Sequence, residues 1–270
     1  MQQLSELSPE KLRPIKVVLT DIDDTVTTDG RLTGQAYLAL ERLQENGFTV
    51  IPVTGRCAGW CDHIARMWPV DAVIGENGAF YLRYDHASKT LHKYYDQPEA
   101  LRLENANRLN ELRSTISNGL PGITVASDQH YRETDLAIDI AEDVMPRPST
   151  DIQHIVDLAQ AAGATAKVSS IHVNCWFGDH SKLSTTLKAL NNCFAISAER
   201  LQREVLFVGD SPNDSTMFAW FEHSVGVANV LDTLEFLTDH PTYITRQRAG
   251  DGFVELVDHL LAKQENGRSA

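Results

Sequence analysis

The sequence has little cysteine, few aromatic residues and a shortage of positive charge. Four of its 270 residues are cysteine and 7% are aromatic, which excludes a small scaffold held together by disulfides. Acidic residues outnumber basic ones, so the formal net charge is -13 and the pI is near 5.1. This balance argues against a partner that is a nucleic acid or an anionic membrane. It leaves small anionic substrates possible, because a bound metal and one lysine can reverse the field locally.

Long hydrophobic runs are also missing. No stretch approaches the roughly 18 uninterrupted apolar residues of a membrane span, and residues 1–14 lack the apolar centre of a secretory signal. Cys57 and Cys61 stand one helical turn apart, a spacing that could suggest metal ligation. No second ligand pair follows at the spacing of a zinc site, so we interpret both as reduced apolar residues. A cytoplasmic location is the expectation.

Strand-like and helix-like segments alternate at both ends of the chain, a pattern typical of a parallel sheet flanked by helices. Residues 15–23, 48–55 and 204–210 are apolar runs that predict buried strands. Between about residues 84 and 179 the segments become less hydrophobic and more mixed. We therefore predict an α/β fold with a Rossmann-like, doubly wound parallel-sheet core of residues 1–83 and 181–270. Residues 84–180 are predicted to form an inserted α+β cap with an antiparallel sheet open on one face.

Carboxylates crowd the predicted ends of these strands. Asp21 and Asp23 follow the first strand, Thr54 follows the second, and Asp210 and Asp214 follow a later one. Ligands of open parallel sheets bind beyond the carboxyl ends of the strands, so these side chains converge if the strands are neighbours. Like charges at that spacing need a neutralising cation. Hard oxygen ligands suit Mg²⁺, which commonly bridges a few carboxylates and a substrate phosphate.

The same spacing suggests a division of labour between the first two acids. Asp21 comes directly after the strand and is the candidate nucleophile, forming an aspartyl-phosphate. Asp23 lies two positions on, where it can protonate the leaving oxygen and later activate water. Thr54, the backbone amides after Asp21, and Lys182 at a helix start would surround the phosphoryl oxygens with donors and positive charge.

Four short motifs carry a family resemblance. They are "DIDDT" (residues 21–25), "VTGR" (53–56), "SKL" (181–183) and "GDSPND" (209–214). In this order the sequence resembles a haloacid dehalogenase-superfamily phosphatase. The long insertion and the "GENGA" of residues 75–79 resemble the Cof-type (IIB) subgroup. That subgroup includes sugar-phosphate, sucrose-phosphate and mannosyl-phosphoglycerate phosphatases.

The resemblance implies a role for each motif position. Asp21 would be the nucleophile and Asp23 the acid/base, and aspartate at position 23 favours phosphoester hydrolysis over dehalogenation. Mg²⁺ would be held by a carboxylate oxygen of Asp21, the main-chain carbonyl of Asp23, and Asp210, with Asp214 orienting Lys182 or a metal-bound water. The phosphoryl group or substrate would be bound by the motif residues Thr54, Gly55, Arg56, Lys182 and Asn213. For Arg56, a structural ion pair is nearly as good an interpretation as an anion contact.

Substrate specificity is expected in the cap, which would close over the leaving group. His172, Asn174 and Trp176 alternate with apolar residues and share one face of a predicted strand. They could bond sugar hydroxyls and stack on a ring, or they could form an ordinary solvent-facing surface. Arg132 and Glu133 are weaker candidates of the same kind.

The expected function is Mg²⁺-dependent hydrolysis of a small phosphorylated metabolite, in the first place a sugar phosphate. The alternatives are a small phosphorylated acid such as phosphoglycolate as substrate, or a phosphotransferase or mutase with the same catalytic residues. Receiver domains share the acidic pair, threonine and lysine, but they are much shorter and lack a cap. A non-catalytic binding module would be expected to have lost at least one of Asp21, Asp23, Lys182 or Asp210.

Overall fold

A computed structural model describes the backbone of residues 1–268 and the side chains of residues 1–262. The β-strands are β1 (Gln2–Gln3), β2 (Val17–Thr20), β3 (Thr49–Pro52), β4 (Val73–Gly75), β5 (Phe80–Asp85), β6 (Thr90–Tyr95), β7 (Thr124–Val125), β8 (Asp135–Asp139), β9 (Thr165–Val168), β10 (His172–Trp176), β11 (Val205–Gly209), β12 (His223–Gly226) and β13 (Tyr243–Ile244). The α-helices are α1 (Pro9–Leu12), α2 (Gly34–Glu45), α3 (Ala58–Met67), α4 (Glu99–Gly119), α5 (Ser149–Ala161), α6 (Lys182–Phe194), α7 (Ala198–Glu204), α8 (Ser215–Trp220) and α9 (Ala249–Arg268).

The main sheet has six parallel strands in the order β1-β13-β12-β11-β2-β3. A parallel bridge between Val53 and Ile74 extends it toward β4. Strands β2 and β11 are buried along their whole length, as their apolar sequences predict for central strands. The predicted α/β class with a parallel-sheet core is confirmed. The order places β2 between β3 and β11, so the three strands that carry the acidic and threonine motifs are neighbours.

Helices cover both faces of this sheet. One apolar cluster joins helices α2, α3 and α9 to one face, and a second joins α6, α7 and α8 to the other. Helix α2 shows why the sequence predicts its bounds. The Thr33 hydroxyl accepts a hydrogen bond from the Ala36 amide at the first turn, and Gly47, with φ +81°, follows the last turn.

Two smaller sheets follow in the chain. Strands β4, β5 and β6 form an antiparallel sheet, and β7-β8-β10-β9 form a second one. The four-stranded sheet, which we call the inserted sheet, has its own apolar cluster with helices α4 and α5. The predicted cap boundary at residue 84 falls inside β5, whose partner β6 also packs beside the main core. The division of the chain at residues 84 and 180 therefore stays a prediction.

The prediction of an inserted sheet open on one face is wrong for its two central strands. Every residue of β8 and β10 is buried. Val173, Cys175 and Phe177 pack on the helices as the alternating sequence predicts. The opposite, polar face is also covered, because it lies over the carboxyl end of the main sheet. Alternation in sequence could not reveal this second covering, since polar residues that face a polar site look the same as residues that face water.

The structure agrees with the interpretation of Cys57 and Cys61 as reduced apolar residues. All four cysteines are unpaired, and Cys57, Cys61 and Cys175 are buried. Burial raises the pKa of the Cys57 and Cys175 thiols to about 12, as expected for inert apolar residues. Among the described residues, we find no helix with the length and apolar character of a membrane span.

Candidate active site

The acidic residues predicted to converge do so. Asp21 follows β2 directly and Asp210 follows β11, and both are almost fully buried. Ligand oxygens of Asp21, Asp210 and Asp214 lie within 4.8 Å of one another. We call these three residues the aspartate cluster. Its position at the carboxyl edge of the parallel sheet follows from the strand order, because β2 and β11 are adjacent.

Lys182 enters the aspartate cluster from the first position of α6. Its Nζ lies 2.6 Å from Asp21 Oδ1 and 2.8 Å from Asp214 Oδ1, and the residue is 3% exposed. Burial lowers the pKa of this lysine, but the two carboxylates outweigh burial and raise it above its usual range. The ammonium is therefore charged at neutral pH, and it meets the carboxylate that the sequence assigns as nucleophile.

One lysine does not neutralise three carboxylates. Burial, opposed in part by Lys182, raises the pKa of Asp21 to about 8, and burial with repulsion from Asp21 and Asp214 raises the pKa of Asp210 well above its usual range. Three carboxylates and one ammonium leave a formal charge of two negatives. The set of buried carboxylate oxygens therefore fits a divalent cation of the Mg²⁺ type in charge and in ligand chemistry.

The members of the aspartate cluster differ in how their oxygens are used. Both oxygens of Asp214 are occupied, since Oδ1 accepts from Lys182 and Oδ2 accepts from the Asp210 and Ser211 amides. Asp210 accepts from the Thr25 hydroxyl and from Asn229. For Asp21, Oδ1 bonds Lys182. This pattern suits Asp214 to a supporting position behind Lys182, the position that the family resemblance implies.

Asp23 lies beside the aspartate cluster but has a different partner. Arg56 donates to it from Nε, 3.0 Å from both carboxylate oxygens, and from Nη2, 2.7 Å from Oδ1. The remaining Nη1 of Arg56 donates to Glu142 Oε1 at 2.6 Å. The ion-pair interpretation of Arg56 therefore describes this structure, and the arginine contacts the predicted acid/base residue directly.

The predicted phosphoryl-binding residues surround the same place. Thr54 is fully buried, and its hydroxyl accepts from the Arg56 amide at 3.0 Å. Gly55 is confined, because a Cβ there would lie 3.1 Å from Asn77 Nδ2 and 3.3 Å from Asn174 Oδ1. Asn213 accepts from the Ser211 hydroxyl at 2.8 Å. Gly55 and Asn213 share a cavity wall with Asp21 and Asp23.

A small cavity of about 10 Å³ lies between the main sheet and the inserted sheet. Residues of both contribute to its wall, which consists of Asp21, Asp23, Gly55, Arg56, Ser169, Ser170, Ile171, His172, Asn174, Ser211 and Asn213. Two of the three predicted cap residues, His172 and Asn174, are therefore at the cavity. Trp176 is not among the lining residues. It stacks on His180, and its Nε1 donates to the His180 carbonyl.

Helices α4 and α5 together with strands β7 to β10, which we call the inserted unit, also contact the main sheet. One of these contacts is made by Arg132, which the sequence analysis treated as a weaker candidate for substrate binding. Arg132 is held by Asp128 and Asp135, and its Nη1 donates to the Gly55 carbonyl at 2.9 Å. Asp135 in turn accepts from Asn174 Nδ2 at 2.8 Å. Arg132 therefore supports the Thr54–Arg56 loop from behind and does not line the cavity.

Several residues around the site were missed by the sequence analysis. Ser169 and Ser170 lie in the turn between β9 and β10, and Glu142 lies in the loop after β8. Nothing in their sequence neighbourhood distinguishes them from surface residues. Glu76 stands in the quoted "GENGA" segment, and its place directly after the apolar strand β4 was the available signal for its burial.

Glu76 joins the two parts of the molecule. It is completely buried, and its Oε1 accepts from the Ala58 amide at the start of α3 and from the Glu133 amide. Its Oε2 accepts from the Thr134 amide at 2.7 Å and from the Thr134 hydroxyl. Every one of these partners donates, so the surroundings match a carboxylate and no other side chain of this shape.

We expect Glu76→Gln to destabilise the fold. The NH₂ group of the glutamine would replace one carboxylate oxygen, and it would face N–H donors that then have no acceptor. The free energy of unfolding should fall by about 2 to 4 kcal/mol, the cost of unsatisfied buried donors. Urea denaturation at pH 8 measures this change. The matched control is Glu45→Gln at the exposed end of α2, which should stay within about 0.5 kcal/mol of wild type. Equal stability of the two variants would contradict the assigned role of Glu76.

Comparison with known proteins gives results in agreement with this geometry. The family described as haloacid dehalogenase-like hydrolase matches residues 18–118. "Phosphoglycolate phosphatase 1" of Saccharolobus solfataricus is 27% identical over 259 residues, covering 94% of this chain and 99% of the relative. This match runs through both the main sheet and the inserted unit.

Solved structures share the whole fold. A HAD/COF-like hydrolase from Plasmodium vivax superposes with a TM-score of 0.68 at 17% identity, covering 94% of this chain and 99% of that one. The sucrose-phosphatase of Synechocystis, solved with sucrose and phosphate, gives a TM-score of 0.61 at 18% identity, with 92% and 98% covered. At these identities the likeness concerns the fold. The family match over residues 18–118 and the relative from Saccharolobus solfataricus make the chain similar to the haloacid dehalogenase-like hydrolases, and together they support an enzyme of the phosphatase type.

Proposed function

We propose that this chain is a Mg²⁺-dependent phosphatase that hydrolyses a small phosphorylated sugar or polyol through an aspartyl-phosphate on Asp21. The observation that carries the proposal is the contact of Lys182 with Asp21 inside the aspartate cluster. In this contact a buried ammonium meets a buried carboxylate, and further carboxylate oxygens lie close by at the same sheet edge. Phosphoryl transfer requires this combination of positioning and positive charge.

In the first step a carboxylate oxygen of Asp21 attacks the phosphorus of the substrate. A bond forms between Asp21 and phosphorus as the bond to the leaving oxygen breaks, and Asp23 gives a proton to that oxygen. Lys182, Thr54 and Asn213 are the side chains available to hold the equatorial phosphoryl oxygens. The product alcohol then leaves through the cavity.

In the second step Asp23, now a carboxylate, takes a proton from water. The water oxygen attacks the phosphorus, the bond to Asp21 breaks, and inorganic phosphate is released. Asp21 and Asp210 are the residues whose side chains would hold Mg²⁺. When bound, the ion supplies positive charge that lets two buried carboxylates and a phosphate approach one another.

The cavity wall supports the choice of a sugar or polyol. Its basic residues are Arg56 and His172. Both edges of the Arg56 guanidinium are occupied by Asp23 and Glu142, and His172 Nε2 lies 2.9 Å from Glu142 Oε2. A substrate carboxylate would therefore meet no free positive charge at the wall. Hydroxyl and amide groups line the remainder, from residues including Ser169, Ser170 and Asn213. Such groups pair with substrate hydroxyls.

A small phosphorylated acid is the second candidate. The observation in its favour is the name of the relative from Saccharolobus solfataricus, phosphoglycolate phosphatase, which matches along nearly the whole chain. A phosphotransferase with the same residues is a third possibility. It differs only in whether water or a second alcohol accepts the phosphoryl group.

The substrate class is tested by kcat/KM with Mg²⁺ on hexose 6-phosphates, glycerol 3-phosphate and 2-phosphoglycolate. We expect the neutral hydroxylated compounds to exceed 2-phosphoglycolate by about tenfold or more, because a carboxylate brought to this wall lacks a partner. The reverse order would select the acid. Release of inorganic phosphate in equal amount to the alcohol product would establish hydrolysis, and a deficit of phosphate would reveal transfer to an acceptor.

A further inference from the structure

We propose that Glu142, on the inserted unit, is a positioning residue for the acid/base Asp23 and acts through Arg56. The inference rests on the proposed function, since it concerns the proton transfer assigned there to Asp23. Glu142 follows the last residue of β8 by three positions. Its Oε1 accepts a hydrogen bond from the guanidinium of Arg56, which belongs to the Thr54–Arg56 loop of the main sheet.

The Arg56 guanidinium is fixed on three sides. Its Nε and Nη2 edge meets Asp23, its Nη1 meets Glu142, and the Trp60 ring lies against its face with the centroid 4.9 Å from Cζ. The arginine is 7% exposed. A planar fork held at both edges has one orientation available, so the side of Asp23 that it contacts is also set.

Each carboxylate oxygen of Glu142 lies close to a basic side chain. Oε1 accepts from Arg56, and Oε2 lies 2.9 Å from His172 Nε2. Burial raises the pKa of Glu142, but His172 and Arg56 outweigh it and hold the value at about 2. Its backbone amide donates to Asp139 Oδ1 at 2.9 Å, and Asp139 pairs with His172 across β8 and β10. The inserted sheet therefore presents this carboxylate in a fixed place.

Without Glu142 one edge of the guanidinium would lose its partner. Arg56 could then rotate toward water or toward the substrate, and Asp23 would follow it. Small errors in the placement of a proton donor cost much of its catalytic effect, because proton transfer requires hydrogen-bond distance to the leaving oxygen. His172 contributes by holding Glu142, which gives this predicted cap residue an indirect role.

The competing explanation is that Glu142 only holds the inserted unit on the main sheet. The other contacts between these two parts of the molecule argue against it. The inserted unit is already tied to the main sheet by Arg132, which donates to the Gly55 carbonyl, and by the Glu133 and Thr134 amides, which donate to Glu76. These contacts do not involve Glu142. Its removal should therefore leave the unit in place and alter chemistry only.

The test compares Glu142→Ala with wild type on two substrates that differ in their need for a proton donor. The p-nitrophenolate ion leaves unaided, whereas an alkoxide from glycerol 3-phosphate requires protonation. In Glu142→Ala we expect kcat/KM for glycerol 3-phosphate to fall about tenfold to a hundredfold, while kcat/KM for p-nitrophenyl phosphate changes by less than about threefold. Glu142→Gln, which retains an acceptor oxygen for Arg56, should recover part of the loss.

Two controls make the result specific. Asp143→Ala removes the neighbouring exposed carboxylate, whose partner is Ser127, and should leave both substrates unaffected. Glu142→Ala introduced together with Arg56→Lys should cost no more than Arg56→Lys alone, since both act on the same contact. Equal losses on the two substrates, or additive losses in the double variant, would overturn the positioning role. If wild type hydrolyses neither substrate, the proposed function fails instead.

Discussion

Asp21→Asn is expected to abolish release of phosphate from p-nitrophenyl phosphate in the presence of Mg²⁺, with kcat reduced by more than about 10³-fold. The amide cannot form the acyl-phosphate bond that the mechanism requires. The side chain keeps its volume, and Lys182 retains Asp214 as a partner. A change in folding is therefore a minor contribution to the loss.

A direct measurement of the intermediate strengthens this test. Wild type mixed with labelled substrate and quenched in acid should retain label on the protein, and Asp21→Asn should retain none. The matched control is Asp24→Asn in the same loop. Asp24 has φ +55°, a conformation that asparagine adopts readily, and it lies outside the aspartate cluster. Activity that survives in Asp21→Asn would rule out this residue as nucleophile.

Removal of the divalent ion is expected to have the second largest effect. Treatment with a chelator should abolish turnover, and Mg²⁺ at about 100 times its Kd should stabilise the fold by about 2.7 kcal/mol, a rise in Tm of about 5 to 11 °C. Scanning calorimetry of the whole chain with and without the ion measures the stabilisation and the rise in Tm, and a phosphate-release assay in chelator measures turnover. Turnover that persists in chelator would contradict the assignment of the aspartate cluster to a metal.

The pH dependence of this stabilisation follows from the raised pKa values. In chelator the folded carboxyl of Asp21 has a pKa of about 8 against 3.8 for its ordinary value, so the folded protein holds a proton that the unfolded chain has released. Stability in chelator therefore falls as pH rises through that window. The rise in Tm on adding Mg²⁺ should be larger at pH 8 than at pH 6.

Two variants test whether the ion binds at the aspartate cluster. Asp210→Asn should lose most of the rise in Tm, because it removes one of the buried charges that the ion offsets, while the carbonyl oxygen still accepts from Thr25 or Asn229. Asp24→Asn should keep the full response. A response of Asp210→Asn equal to that of wild type would show that the ion binds elsewhere.

The secondary structure and the class of the main sheet were predictable from local patterns. Apolar runs identify β2 and β11 as central strands, and caps such as Thr33 identify helix starts. These signals depend on neighbours in sequence, so they survive without knowledge of the fold. The open face assigned to the inserted sheet was wrong for β8 and β10. The covering comes from residues distant in sequence, which leave no periodic trace.

The candidate site likewise has features that the sequence predicts and features that only the tertiary structure reveals. By itself, the sequence determined which chemical groups stand at the strand ends, namely Asp21, Asp23, Thr54 and Asp210 and the lysine that opens α6. Only the tertiary structure decided how their charges pair, with Lys182 on Asp21 and Arg56 between Asp23 and Glu142. The physical reason is the range of the interactions. Strand and helix signals depend on a few adjacent residues, whereas the pairing of buried charges depends on side chains up to 161 positions apart, brought to contact by packing alone.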